Sequence, residues 1–326
     1  MTYIRYRILR LIPVFFLVTF ASFALLNILP GDVADAMLGG ADADDTSEDI
    51  LEARLEIRKE LGLDRPIIVR YFSWLSNVMQ GDFGESQIQI VPVWELIVER
   101  IPVTLELLIL SQMLALTIAI PAGIYSALKA DKTADRLIAT IAFGIVAMPP
   151  FIMAILFVFF FAVTLQILPA SGYIPIEEDL YQNLLHYILP ATTIGLLEVP
   201  ILLRVLRVDL IATLQEDYIA MAKAKGLSRT YILFNHALRP SSFSLVTVLG
   251  LQFGFLISGT VIIEQMFGLP GIGKLVLEAI DNRDAMLLQG AVTMIALAYV
   301  AINLIVDLLY GLIDPRVGEG GRGRDG

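Results

Sequence analysis

Apolar residues in this chain arrive in blocks about as long as a bilayer is thick, and that spacing leaves few folds open. A helix needs roughly 20 apolar residues to cross the hydrocarbon core. Such blocks occupy residues 11–29 and lie near 102–128, 137–164, 186–206, 243–263 and 287–312. In hydrocarbon each backbone N–H and C=O must find its partner within the protein, which favours helices. Composition agrees: 57% of residues are apolar, 17% are charged, and mean hydropathy is +0.75. The expected fold is all-α, a polytopic membrane protein with six transmembrane helices.

The first block follows Arg5, Arg7 and Arg10, as a signal peptide would. Its 19 residues, Leu11 to Leu29, exceed a secretory h-region of roughly 7–15, and no A-x-A-like site follows, so it reads as a retained span. Pro121 is expected to bend the second span, and Pro149-Pro150 interrupts the third. Between the first two spans, Gly62 should stop one helix, and Ile67 to Met79, with Tyr71, Phe72 and Trp74, reads as an amphipathic helix. The expected organisation is a cytoplasmic end and first span at 1–30, an extracytoplasmic insert at 31–93, a five-span core at 94–313 and a cytoplasmic tail at 314–326.

Lysine and arginine in the loops set the orientation. Fifteen of the 23 fall on the side of the termini, among them Lys129, Lys132, Arg136, Arg204, Arg207, Lys223, Lys225, Arg229 and Arg239. The other side has eight, six of them in the long first loop and its exit. Both termini are therefore expected in the cytoplasm of a cell-membrane protein. Residues 31–93 carry thirteen acids and five bases, a balance of −8 within a total of −10. This makes the insert a candidate docking surface for an external protein.

Several chemistries are excluded. With no cysteine there is no disulfide, thiolate metal site or cysteine nucleophile. His186 and His236 are too few for a histidine metal site without help, and no metal is expected. No basic, aromatic-interleaved stretch suggests nucleic acid. Gly268 to Lys274 matches G-x-x-x-x-G-K, but Leu275 stands where a P-loop places the Ser or Thr that holds Mg²⁺. This segment reads as a tight external turn, and the chain is not expected to bind ATP.

The most informative loop runs from Asp217 to Ser228. Gln215 to Lys225 reads as a short helix, stopped by Gly226, with Ser228 capping the next. Its alanines leave a thin surface that another protein could approach closely. A helix lying in the lipid headgroups, with its lysines on phosphates, fits the composition as well.

Asp217-Tyr218, then Ala222-Lys223-Ala224-Lys225-Gly226-Leu227-Ser228, then His236-Ala237-Leu238-Arg239, resemble the cytoplasmic coupling loop of binding-protein-dependent ABC permeases. The general pattern is E-A-A-x-x-x-G-x9-I-x-L-P. Ala222, Gly226 and Leu238 fit it, whereas Ala220, Met221, His236 and Arg239 depart from it in the way the dipeptide/oligopeptide family does. Further segments resemble that family's first-permease type in order and spacing. They include Leu29-Pro30-Gly31-Asp32, Gly81-Asp82-Phe83-Gly84-Glu85-Ser86, Met148-Pro149-Pro150-Phe151, Leu168-Pro169-Ala170-Ser171-Gly172-Tyr173 and Pro270-Gly271-Ile272-Gly273.

The resemblance implies a type I ABC importer permease fold and a non-enzymatic transport subunit for peptides. It implies a second homologous permease, two ATP-binding-cassette ATPase subunits that use ATP and Mg, and an extracytoplasmic solute-binding protein as partners. No cofactor is expected on this chain itself. Nickel, glutathione, opines or oligosaccharides are alternative cargoes, and an ion-coupled secondary transporter is the rival mechanism. By the same resemblance Asp217, Tyr218, Ala222, Lys223, Ala224, Lys225, Gly226 and Leu227 are the ATPase-coupling residues.

Polar groups within spans are costly and so are functional candidates. Glu198, Gln252, Ser258, Gln289 and Asn303 are candidates for a translocation path or for hydrogen bonds between helices. Glu106 and Asp307 lie nearer the span ends, where anchoring or helix packing is the expected role.

Overall fold

The computed structural model describes residues 12–24, 64–86 and 88–313. The Gly62 stop, most of the acidic insert, the Leu29–Asp32 segment and the 314–326 tail lie outside the described residues. So do the side chains of Ser258 and Asp307. Among the described residues the structure is helical, apart from turns, loops and one antiparallel bridge between Glu85 and Pro92. The chain divides into two compact units.

One unit comprises residues 9–102 and 274–300. Helix α1, Ile12–Ala24, belongs to the first apolar block. Helix α2, Ile67–Met79, is present where the sequence places it and buries Tyr71, Leu75 and Val78. Tyr71 joins the two: its hydroxyl lies 2.8 Å from Thr19 Oγ1, and its ring packs edge-on against Phe20 and Phe23. A second core gathers Val78, Phe83, Val93, Ile97, Leu275, Leu287 and Ala291. Asp284 caps the last helix through Leu287 N at 3.0 Å and accepts the Ser86 hydroxyl at 2.5 Å. The Gly81–Ser86 loop is thereby fixed to that helix.

The other unit holds residues 103–273 and the end of the last helix. Helix α3, Val93–Leu128, is 36 residues long and continues through Pro121 without interruption. It starts earlier than the apolar block suggests, because Glu95, Glu99 and Arg100 dilute hydropathy without breaking the helix. Helix α4, Thr133–Val146, and helix α5, Pro150–Phe157, with its π-helical extension Val158–Thr164, meet at a bend of 100°. The Pro149-Pro150 interruption is thus a sharp corner. Pro150 sits at the first helical position, where its missing N–H leaves no bond unmade.

Helix α6, Leu180–Thr213, is capped by Asp179, which accepts from the N–H groups of Tyr181 and Gln182. It passes through Pro190 and Pro200. Gly195 allows it to approach α3 closely, since a Cβ there would meet Ser111 O at 2.7 Å. Ala115, Ala119, Leu202, Leu203, Leu206 and Leu245 complete this core. Helices α7 (Asp217–Ala224) and α8 (Arg229–Ile232) follow, and a π-turn at Leu233–Ala237 leads into α9, Leu238–Phe267. Helices α10 (Ile272–Asp281) and α11 (Ala285–Ile313) close the chain.

Helix α3 and residues 285–305 of α11 are each long and apolar enough to cross a membrane. Each of two bent pairs, α4 with α5 and the end of α9 with α10, adds one more if counted as a single span. Ile141, Phe143, Phe151, Ile155, Phe159, Phe160 and Val163 on α4, α5 and its π-helical extension are exposed, as apolar side chains in contact with lipid would be.

Candidate functional site

The Asp217–Ser228 segment is a closed structural device. Helix α7 is two residues shorter at its start than the sequence suggests, because Leu214 to Glu216 form a turn. It ends in a Schellman arrangement: Gly226 N–H bonds Lys223 O at 3.0 Å and Leu227 N–H bonds Ala222 O at 3.3 Å. Gly226 adopts φ +78°, the left-handed conformation that favours glycine. Ser228 caps the next helix by accepting from Tyr231 N–H at 3.2 Å. The Tyr218 hydroxyl reaches His236 O at 3.4 Å, tying the start of α7 to the π-turn, and burial followed by the nearby Glu216 raises the Tyr218 phenol's pKa.

The helix is amphipathic in a particular way. Ile219 and Ala222 are buried against Ala127, Leu210, Ile232, Leu233 and Ala237. The seat is thus made by the last turns of α3 and α6 and by the α8–π segment. Asp217, Tyr218, Ala220, Met221, Lys223, Ala224, Lys225, Gly226 and Leu227 remain exposed. This corrects one expectation: Ala222 does not thin the surface offered to another protein. It is small because it packs inward on its own chain. A large residue there would unseat the helix before any partner arrived.

Beside the seat lies an ion pair that sequence reading missed. Arg207 grips Asp135 with both arms, Nε to Oδ1 at 2.8 Å and Nη2 to Oδ2 at 2.6 Å. The Asp135 carboxylate also accepts from Ser126 Oγ and, at 2.9 Å, from Asp131 N–H. Its side chain is 6% exposed. An acid in the first turn of an apolar helix and an arginine inside another were the available signals.

The polar candidates within the spans are dispersed. Glu198 is 3% exposed and accepts a hydrogen bond from Gln112 across the α3–α6 crossing. Gln252 and Asn303 are half-buried. Gln289 is buried in the other unit. Glu106 accepts from Asn183 Nδ2 at 3.4 Å, beside the Asn183–Ile174 bond of 2.9 Å.

The Gly268–Lys274 turn has its own explanation. The Glu264 carboxylate accepts from Thr104 Oγ1 at 2.8 Å, and Thr104 in turn accepts from Ile272 N–H at 2.9 Å, at the start of α10. Gly271 is packed directly on that carboxyl, and a Cβ on Gly273 would meet Glu264 Oε2 at 2.9 Å. Of the two glycines that imitate a phosphate-binding loop, Gly273 makes room for this carboxylate and Gly268 ends α9 in the left-handed conformation, at φ +68°.

The profile described as the inner membrane component of binding-protein-dependent transport systems matches residues 119–319, and that family's N-terminal profile matches residues 1–108. A probable peptide ABC transporter permease of Sinorhizobium fredii is 36% identical over 315 residues, 97% of this chain and 98% of that protein. The glutathione transport system permease of Escherichia coli K12 is 36% identical over 317 residues, covering 97% and 99%. A putative peptide transport system permease of Brucella abortus is 38% identical over 311 residues, covering 95% and 97%. A chain of the MetNI methionine ABC transporter in an inward-facing conformation shares the fold, with TM-score 0.55 and 15% identity over 67% of this chain and 96% of that one. The chain belongs to the binding-protein-dependent ABC importers, as a multi-pass inner-membrane permease of the first-permease type and a non-catalytic transport component.

Proposed function

We propose that this permease forms half of a translocation path for short peptides, with six spans and both termini in the cytoplasm. In this proposal α7 is the helix on which an ATPase subunit acts. The observation that carries it is the pre-folded α7, seated on the ends of α3 and α6 and exposing Tyr218, Met221, Lys223 and Lys225 outward. A rigid surface element rooted in two long helices suits the transfer of a mechanical displacement. The family implies ABC ATPase and binding-protein partners. A second homologous permease would complete the path, and two ATPase subunits would use ATP and Mg. Relatives named for peptide transport, at near full length, support the cargo class.

Glutathione is the second cargo, favoured by a relative named for it at equal identity to one named for peptide. The test is uptake by vesicles holding the full transporter with its own binding protein. Di- and tripeptides should be taken up, and unlabelled glutathione should not compete. Competition by glutathione alone would move the assignment to that cargo. Uptake that persists without ATP and collapses with the ion gradient would discard the ATP-driven mechanism.

Orientation has a direct test, because the absence of cysteine gives an unlabelled background. Glu177 and Ser228 are both exposed. A cysteine at Glu177 should react in intact cells with a membrane-impermeant thiol reagent, and one at Ser228 should react only after lysis. Labelling of the Ser228 cysteine in intact cells would reverse the topology.

A further inference from the structure

We propose that Asp135 and Arg207 are positioning residues that lock the ends of α3, α4 and α6 together beneath the coupling helix, so that a displacement of α7 moves all three as one body. The inference rests on the coupling role proposed above for α7.

The geometry places the lock and the seat side by side. Ser126, which donates to Asp135, is next to Ala127, which supports α7. Arg207 lies one turn before Leu210, which also supports α7. Each of the two long helices therefore gives one residue to the lock and one to the seat. Asp135 brings in the start of α4, and Asp131 N–H, at a residue with φ +63°, holds the intervening turn to the same carboxylate. One side chain is the junction of three helix ends.

Apolar contacts alone do not do this. Burial of Ile219 and Ala222 holds α7 against its seat, but hydrophobic attraction is non-directional and lets surfaces slide. A two-pronged guanidinium–carboxylate pair fixes angle as well as distance. Stability alone does not account for it either, because well-packed apolar side chains often replace a buried ion pair at no cost. What the pair supplies is a defined register between helices that a push on α7 must move together.

Asp135→Asn and Arg207→Lys separate charge from geometry, since lysine keeps the charge and loses the fork. Both are read in the full transporter with its binding protein, by co-purification of the ATPase subunits, basal ATPase and solute imported per ATP hydrolysed. Attachment and basal ATPase are expected to persist. Import per ATP should fall about tenfold, within the range of site-to-site coupling. Unchanged import per ATP in both variants overturns the proposal, as does rescue by lysine, which would assign the pair to charge balance. Should the single variants not assemble, the doubly apolar Asp135→Leu with Arg207→Met is read instead. Assembly with lost coupling supports the lock, whereas normal coupling or failure to assemble overturns it. Met221→Arg, on the exposed face of α7, is measured alongside. If that variant keeps its ATPases and transports normally, the coupling role of α7 fails, whatever the lock variants do.

Discussion

Gly226→Val should abolish uptake while the permease still inserts. The glycine sits at φ +78° and a Cβ there meets nothing within 4 Å, so the penalty comes from the backbone and not from a clash. A β-branched residue in the left-handed region costs on the order of 1–3 kcal/mol. The chain relieves that by leaving the conformation, which opens the Leu227–Ala222 and Gly226–Lys223 bonds and redirects the exit from α7. Gly226→Asn is the control, because asparagine tolerates this region. Uptake in vesicles should be lost in the valine variant and largely kept in the asparagine variant, with ATPase subunits absent or unresponsive to substrate only in the former. Normal transport by the valine variant would falsify the mechanical role of the turn.

A comparably large effect is expected at Gly271, for a steric reason. Its Cβ would fall on the Glu264 carboxyl, which is itself 0% exposed and bonded to Thr104. Overpacking of this kind costs typically about 1–3 kcal/mol, and moving the carboxylate also removes the acceptor of Thr104. Gly271→Ala should therefore lower the melting temperature of the purified permease and reduce its level in the membrane several-fold. Glu264→Ala in the same chain should recover part of that loss, because the two changes act on one space and are not additive. A double variant as damaged as the sum of the singles would show that the crowding is not what Gly271 prevents.

The sequence showed what local chemistry decides. The Ile67–Met79 helix, the break at Pro149-Pro150, the positive φ of Gly226 and the Ser228 cap each follow from residues within a turn of one another. It did not show which way a residue faces. Ala222 looked like part of an outward surface, since three alternating alanines have no face until Ile219 chooses one by burial. Asp135 and Arg207 are 72 positions apart. Each alone is an ordinary charge at the end of an apolar run, and only the tertiary fold makes them a pair. Glu198 and Gln112 are the same case inside the spans. The G-x-x-x-x-G-K imitation misleads for a related reason: Gly268 is a helix end and Gly273 answers to Glu264, whose role as occupant only the folded turn shows.

The seating of Ile219 and Ala222 has a kinetic consequence for the coupling role proposed for α7. An isolated helix of eight residues is marginal in water, and ordering one residue costs about 1–2 kcal/mol in backbone entropy. Here that cost falls on the folding of the permease itself, because its own core residues hold the helix formed. An ATPase subunit acting on α7, as proposed, would meet a helix already formed and would require no coil-to-helix transition.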